Sequence, residues 1–573
     1  MRKFILLLLI NLLAVNTSFA AWHADDMART RLDLEGSLQQ RDMKSLRSDD
    51  GKTILTWIRG DRVDDHYSSV LHLQIFDKDG NAQFGDEGII VCDKPTETSS
   101  NGYGLALTPD GDIVILYQDM RNDPVNKENA QMFIYRYNQQ GQPVWDADGL
   151  TLTSIPHHYN TLCVSEDACA LCIGDNGQIY AAIRQSEYLQ NEGVECEINW
   201  QVVSLNDDGT VASDEPVILP AKVLSLHPAP GGDAFVIYDG DFEKKGFEAQ
   251  RIDRNLTPQW QAPAIVEAYS QNEGGLIHFP SIETAADGGI ILCYRQLQQD
   301  VSKGVWVMNH LTPEGEVLER SVAWNTSVEG DSDEGIMAVK GNDVFTSWVI
   351  RSQYMFYLLV NQMDADGNKM WDGDAADGLI LEEMPTIDVE HNEWNYGYSP
   401  VKAIPVEDGW VLLYGICTDF NTANFMLTKF DDGGNTVWSR QICEDNFQSS
   451  GFSVCYDKQY AYIFFTQDVE LDEHYQEIPG TGGMFVMCVD ITGSEGTAID
   501  EVPAQASVAS TAIYTIDGKR VNQLQQGINI VRTTDENGVI SIKKIIKQHK
   551  KISRIKWFWS IYLWKWIILT RSS

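Results

Sequence analysis

Residues 108–122, TPDGDIVILYQDMRN, and residues 133–154, FIYRYNQQGQPVWDADGLTLTS, decide the fold. The first stretch opens on a polar turn, Asp110-Gly111, and runs into the apolar segment Ile113–Tyr117. The second continues an alternating segment, Gln131–Tyr137, into Asn138-x-x-Gly141, with Trp145 four residues beyond the glycine. Short apolar or alternating runs between Gly, Asp and Asn turns are strands, and glycine supplies the positive φ at which a hairpin reverses. With Gly104–Leu107 before them and Gly149–Thr153 after, these segments predict four consecutive antiparallel strands.

The same unit returns along the chain. The Asx-x-x-Gly turn with its trailing aromatic stands at Asp77…Gly80…Phe84, Asn138…Gly141…Trp145, Asp364…Gly367…Trp371 and Asp431…Gly434…Trp438. Weaker copies sit at Gly209, Leu256 (followed by Trp260), Gly315 and Gly493, and successive copies are 47–68 residues apart. A second marker keeps step with it: a polar turn, four or five apolar residues, then an aromatic. It ends at Trp57, Tyr117, Tyr238, Tyr294, Trp348, Tyr414 and Phe464, with Ile183 in the copy that follows Asn176-Gly177. A four-stranded unit cannot bury both its faces alone, whereas a closed ring of such units can. The expectation is an all-β chain: a β-propeller of about eight four-stranded blades over residues 38–502, with seven blades as the alternative, followed by a small C-terminal β module.

These repeats resemble those of secreted bacterial propellers, with their DG-apolar-W/Y-x-D-x-R strand and DxxGxxxW turn. The resemblance covers some 460 residues and implies fold rather than activity. The arginines near the strand ends, Arg59, Arg121, Arg184, Arg295 and Arg351, stand at different offsets, which argues against one shared ligand-binding arginine.

The chain has 573 residues, 43% of them hydrophobic, and a formal charge of −40. From Lys543 to Ser573 there are nine Lys or Arg and no acid, so the rest carries −49. So acidic a body repels phosphate, and no nucleic-acid partner is expected. Arg2 and Lys3 precede the apolar run Phe4–Val15, and Ser18 and Ala20 stand at −3 and −1 of a cleavage point after Ala20. That order is a secretory signal peptide over residues 1–20, too short to span a bilayer comfortably, and it implies a secreted or outer-surface protein. The ten cysteines are scattered through strand-like runs, which favours buried thiols or one or two bridges over a disulfide framework. The thiols of Cys169-x-x-Cys172, if in a strand, would face opposite sides.

Residues 503–511 form a small-residue linker, and Ala512–Lys547 holds three or four short strands with turns at Asp517-Gly518, Gln526-Gly527 and Asn537-Gly538. This module resembles the C-terminal sorting domain of Bacteroidetes type IX secretion cargo. The elements that carry the resemblance are Tyr514-Thr515-Ile516-Asp517-Gly518-Lys519-Arg520-Val521, then Gln526 to Val531 with Gly527, then Lys543-Lys544-Ile545-Ile546-Lys547. It implies the outer-membrane secretion machinery as a partner, with no transmembrane span in the mature body. Residues 548–573, basic and rich in tryptophan, fall outside that pattern and form a separate tail.

Chemistry is sparse. No HExxH, GxSxG or Cys/His pair is present, so no catalytic residue, metal site or cofactor is assigned. Calcium is the one alternative, through Asp77-x-Asp79 and Asp364-x-Asp366, although the glycine arrives fourth rather than sixth. The candidate ligand loop runs from Asp388 to Tyr398: His391, Trp394, Tyr396 and Tyr398 can stack on a sugar while Glu390 and Glu393 bond its hydroxyls. The chain therefore reads as a surface module or scaffold that binds glycan or protein. The alternative is a propeller enzyme on polysaccharide, a hydrolase or a lyase.

Overall fold

The computed structural model describes Trp22, residues 30–32 and residues 40–493, less 64–65, 86, 95–102, 120, 122–130, 153–158, 163–170, 190–193, 213–216, 220–222, 240–245, 269–280, 298–303, 320–330, 365–367, 372–377, 389–392, 418–422, 444–446 and 468–482. It then describes residues 508–547, less 516–519, 522–526 and 536–539. The chain divides into two compact units, Met1–Gly493 and Ser494–Ser573.

The first unit is a β-propeller of eight antiparallel blades. In blade 2 the strands are Gly104–Leu107, Ile113–Asp119, Gln131–Tyr137 and Leu150–Thr151, paired in that order. Blade 6 follows suit with Asp331–Lys340, Asp343–Arg351, Met355–Met363 and Leu379–Pro385. Blade 7 uses Tyr398–Val406, Gly409–Cys417, Ala423–Asp431 and Thr436–Cys443. In blade 3 the first strand is in two pieces, Tyr159–Leu162 and Leu171–Ile173, both paired with Ile179–Leu189. Blade 8 takes three strands from the C-terminal side, Phe447–Tyr456, Tyr460–Gln467 and Gly483–Asp490. Its fourth is Thr30–Arg31, from the other end of the chain. The ring thus takes in residues that lie ahead of the repeats.

The core lies between blades. Along Asp343–Arg351, Val344 and Trp348 join Ile291, Cys293 and Met308 of blade 5, whereas Phe345 and Val349 join Trp410, Leu412 and Tyr414 of blade 7. Successive side chains of a strand face opposite ways, so a blade flanked on both sides has a middle strand with almost no exposed residue. Each such aromatic or aliphatic side chain contributes about 1.5–3 kcal/mol on burial.

Two devices fix blade to blade. One is the aromatic of the turn. Trp371 of blade 6 lies over Gly434 of blade 7, and its indole N–H donates to the Asp432 carbonyl at 3.0 Å. A Cβ on Gly434 would stand 2.7 Å from the Trp371 ring, and Gly434 has φ 81°, so space and backbone both demand glycine there. Phe84 on Gly141, Trp145 on Gly209, Trp260 on Gly315 and Trp438 on Gly493 repeat the contact. Trp145 and Trp260 also repeat the bond, to the carbonyls of Asp207 and Pro313. Blade 3 offers Ser213 where the aromatic would be, and the next blade has Leu256 in place of glycine. Leu256 takes φ 61° and buries its own side chain in the core.

The other device is a basic residue on the third strand, two residues before the turn. Arg136 pairs with Asp112 of its own blade at 2.9 Å and Asp207 of the next at 2.6 Å. Arg251 pairs with Asp233 of its own blade and donates to the Pro313 carbonyl of the next at 3.3 Å, and the buried Lys429 pairs with Asp408 of its own blade and donates to the Thr492 carbonyl of the next, whereas His310 bonds Asp287 within blade 5. Desolvated cations persist only when paired in this way.

The second unit contains one four-stranded sheet, Arg520–Val521, Val508–Thr515, Gly527–Asp535 and Ile540–Lys547 in spatial order. Gly527 opens the third of these segments in the chain, and Lys543, Lys544 and Lys547 lie on the last. The first begins at Val508, inside the stretch read as linker. Asp517, Gly518, residues 1–20 and the tail 548–573 lie outside the described residues. No helix among the described residues is long and apolar enough to cross a membrane.

The aromatic contact sets a stability test. Trp371→Ala is expected to cost about 3–5 kcal/mol, seen as a lower denaturant midpoint, while Trp371→Phe should recover most of that loss.

Candidate functional site

Antiparallel pairing sorts the connections by face. Turns from first to second strand and from third to fourth leave the ring on one side, and these are tight and hydrogen-bonded. Gly111 N bonds the Thr108 carbonyl and Gly141 N that of Asn138, as Gly434 N does that of Asp431. The second-to-third and inter-blade connections leave on the other side. Asp77 illustrates the tight side: its Oδ1 accepts the N–H groups of Asp79 and Asn81, both at 2.9 Å, and Asn81 Nδ2 covers Oδ2. Burial is the largest single influence and pushes its carboxyl up, but the bonds from Asn81 and Asp79 together outweigh it and hold the group below the usual range. Among the described residues no group of three or more His, Cys, Asp or Glu is placed to hold a metal ion.

On the loop face, the second-to-third turn of blade 6 is held tightly. Ser352 N donates to the Met355 carbonyl at 2.8 Å, and Ser352 Oγ accepts from the N–H groups of Tyr354 and Met355. Behind it, the buried Thr386 donates its N–H to the Tyr354 carbonyl at 2.8 Å and its hydroxyl to the Gln353 carbonyl at 3.0 Å. The Thr386 carbonyl accepts from Asn395 N, and Asn395 Nδ2 donates to the Pro385 carbonyl at 2.7 Å. These bonds carry the inter-blade hairpin Ile387–Asp388 and Glu393–Trp394, in which Ile387 pairs with Trp394. The Gly397 carbonyl ties its far end to Cys417 N of blade 7. Held on this base, Tyr354 is 71% exposed and Ile387 39% exposed.

The loop singled out in the sequence is therefore part of a built corner between blades 6 and 7. Tyr396 is half-buried beside Gly397. Tyr398 starts the first strand of blade 7 and is buried with Phe356 and Tyr414. Burial, then the nearby Glu382 and Glu383, pushes its phenol up. Glu393 and Trp394 place their backbone in the hairpin, and Glu390 and His391 lie outside the described residues. Tyr354 was missed because Tyr354-Met355-Phe356-Tyr357 runs straight into an apolar strand and reads as its buried start.

A second group lies at the ring axis. First strands of successive blades touch one another around the ring, which makes them the innermost. Glu283 is on the first strand of blade 5, Ser281–Thr284. Lys402 and Tyr456 are on the first strands of blades 7 and 8. Desolvation raises the Glu283 carboxyl, with Lys402 opposing. Burial pushes the Tyr456 phenol to about 12, and the Glu283 charge adds to that rise. Blades 5 and 8 are not neighbours, so this field crosses the axis. On the first strand of blade 4, His227 keeps a buried Nε2 with no hydrogen-bond partner, and burial lowers its pKa to about 4.

No protein-family profile matches the chain, and no curated protein matches it in sequence. Among solved structures it is similar to an ulvan lyase bound to GlcA(1-4)Rha3S, at 12% identity over 72% of this chain and 98% of that one, TM-score 0.38. A Dyadobacter fermentans protein of unknown function is 14% identical over 57% of this chain and 94% of its own, TM-score 0.29. An acylaminoacyl peptidase of Pyrococcus horikoshii is 12% identical over 76% and 58%, TM-score 0.34. At these values no chemistry is carried across from any of them.

Both axial groups give a pH signature. Glu283 ionises less readily folded than unfolded, so Glu283→Gln is expected to raise the melting temperature at pH 7, with the gain vanishing below the unfolded value of 4.5. His227 is depressed from 6.5 to about 4, so the fold loses stability as pH falls between those values. His227→Asn should remove up to about 3 kcal/mol of that acid loss, visible as a flatter melting-temperature profile from pH 6.5 to 4.

Proposed function

We propose that the chain is an exported, surface-displayed propeller that binds a glycan on its loop face. The observation that carries this reading is Tyr354, an aromatic left 71% exposed yet braced from beneath by Ser352 and Thr386. Exposing a tyrosine costs burial energy, and holding its backbone in a bonded turn removes main-chain entropy that would otherwise be lost on binding. An aromatic ring presented on such a turn suits the apolar face of a sugar ring. Tyr396 and the Ile387–Trp394 hairpin extend the same corner, and Glu390, His391 and Glu393 of the same stretch of sequence supply hydroxyl partners by their chemistry. The charge of the body disfavours a strongly anionic polymer and favours a neutral one. Export is supported by the charge-then-apolar order of residues 1–20, and passage to the surface by the sorting-type elements around Asp517-Gly518 and Lys543–Lys547.

A second reading, a polysaccharide-active enzyme, is favoured by one observation. Burial raises the Glu283 carboxyl, the direction a proton donor needs, and Lys402 and Tyr456 lie near enough for their charges to interact with it.

A glycan array followed by calorimetry tests the first reading. Tyr354→Ala is expected to weaken the best neutral ligand about 10-fold, the loss of one stacking contact, without moving the melting temperature. Unaltered affinity would remove Tyr354 from the site. Turnover of any arrayed polysaccharide that Glu283→Gln abolishes would replace binding by catalysis.

A further inference from the structure

Among the described residues, five arginines lie over an aromatic ring, and four of them are also bonded. Arg47 holds Asp457, Arg136 holds Asp112 and Asp207, and Arg440 donates to the Asp490 carbonyl. Arg121, 3.7 Å over the Phe133 ring, grips Asp119, with Nε 2.9 Å from Oδ1 and Nη2 2.6 Å from Oδ2. That is the two-pronged hold a planar guanidinium offers a planar carboxylate. Arg351 is the fifth. Its guanidinium stands 5.6 Å from the Phe356 ring centroid, and it makes no hydrogen bond or ion pair among the described residues. In a chain with 83 Asp and Glu against 43 Lys and Arg, an exposed arginine bonded to no acid is an exception.

Its place in the fold is the corner between blades 6 and 7. Arg351 ends the second strand of blade 6 and pairs with Phe356 of the third, so the two residues flank the turn that carries Tyr354. Residues paired across an antiparallel ladder share one face of the sheet. Phe356 faces blade 7: it packs with Tyr398, and a Cβ on Gly397 would stand 2.8 Å from its ring. A positive fork and an exposed aromatic thus stand on one bonded turn, on the side from which Tyr396 and the Ile387–Trp394 hairpin approach.

We propose that Arg351 sets the ligand class of this corner: a glycan whose neutral sugar stacks on Tyr354 and whose neighbouring sugar carries a single carboxylate. This inference rests on the glycan reading above and narrows it. The long-range field of the acidic body still opposes a densely anionic polymer, because each further acid adds repulsion. One carboxylate seated on the guanidinium meets a local, charge-assisted attraction instead. Phe356 backs the fork by stacking, so the side chain is held for a two-pronged contact of the kind Arg121 makes with Asp119.

Calorimetry on the full chain with matched pairs of oligosaccharides tests this, each neutral member set beside one in which a single glucose is replaced by glucuronate. The uronate member is expected to bind about 10-fold tighter, the worth of one charge-assisted pair. Arg351→Gln should abolish that difference. Arg351→Lys should keep only part of it, since an ammonium retains the charge and loses the fork. Arg440→Gln removes an equal charge from the outer strand of blade 7 and should leave the difference in place. Tyr354→Ala should weaken both members together. Equal affinity within every pair overturns the inference while the glycan reading stands; the guanidinium would then belong to an acid of its own chain, such as its cross-strand partner Asp331. A difference that Arg440→Gln lowers as far as Arg351→Gln also overturns it, the preference being one of overall charge. If no member of any pair binds, the glycan reading itself fails, and this inference falls with it.

Discussion

The constraint on which the propeller depends is that an aromatic ring from one blade must lie flat on a glycine of the next. A blade is a small sheet with two greasy faces, and only its neighbours can cover them. The ring contact sets the spacing and tilt at which that cover is made. The glycine is required twice over, by the space the indole occupies and by the left-handed turn, as at Gly434 under Trp371. At Ser213 the aromatic and its glycine are both absent, and Leu256 buries its own side chain in the core instead. At Glu319 of blade 5 the aromatic is absent while Gly367 of blade 6 stays, so the two halves of the contact do not always vary together.

The division of the contact between two blades explains why the fold was legible in the sequence. The Asx-x-x-Gly-x-x-x-Trp spacing states a contact between blades, so its recurrence counts blades, and eight are found where eight or seven were expected. Within blade 2, the stretches Gly104–Leu107 and Gln131–Tyr137 are strands as their patterning requires. A regular signal that went unnoticed is the basic residue two places before the turn, Arg136, Arg251, His310 and Lys429. It hides because its partners, such as Asp112 and Asp408, sit in a different turn of the blade, roughly two dozen residues upstream. The role of Trp22, whose ring lies against Gly80 of blade 1, was hidden for a stronger reason: that glycine is far along the chain, and nothing local marks a single tryptophan as a repeat fragment.

The candidate site was only partly legible. The Asp388–Tyr398 loop announced itself by its aromatics, yet one of them, Tyr398, is a core residue. Hydrophobic content cannot tell a ring that packs from a ring that is presented. Tyr354 is distinguished only by what lies beneath it, Ser352 and Thr386, and that support comes from two separate parts of the chain. The axial residues Glu283, Lys402 and Tyr456 are likewise unremarkable in sequence and share one electrostatic neighbourhood only because they stand on first strands of different blades.

The way blade 8 is sewn together has a mechanical consequence. Thr30 pairs with Val486 and Arg31 with Phe485, antiparallel, so the N-terminal lead and the exit past Asp490 leave the same end of the sheet. A force applied between the two ends of the propeller, such as fluid drag on an anchored molecule, would peel those bonds one at a time rather than shear them together. Peeling is the weak direction for a strand pair. The load reaches the indole of Trp22 first, ahead of the seam in which Leu55 and Trp57 of blade 1 pack with Tyr462, Phe464 and Val486 of blade 8.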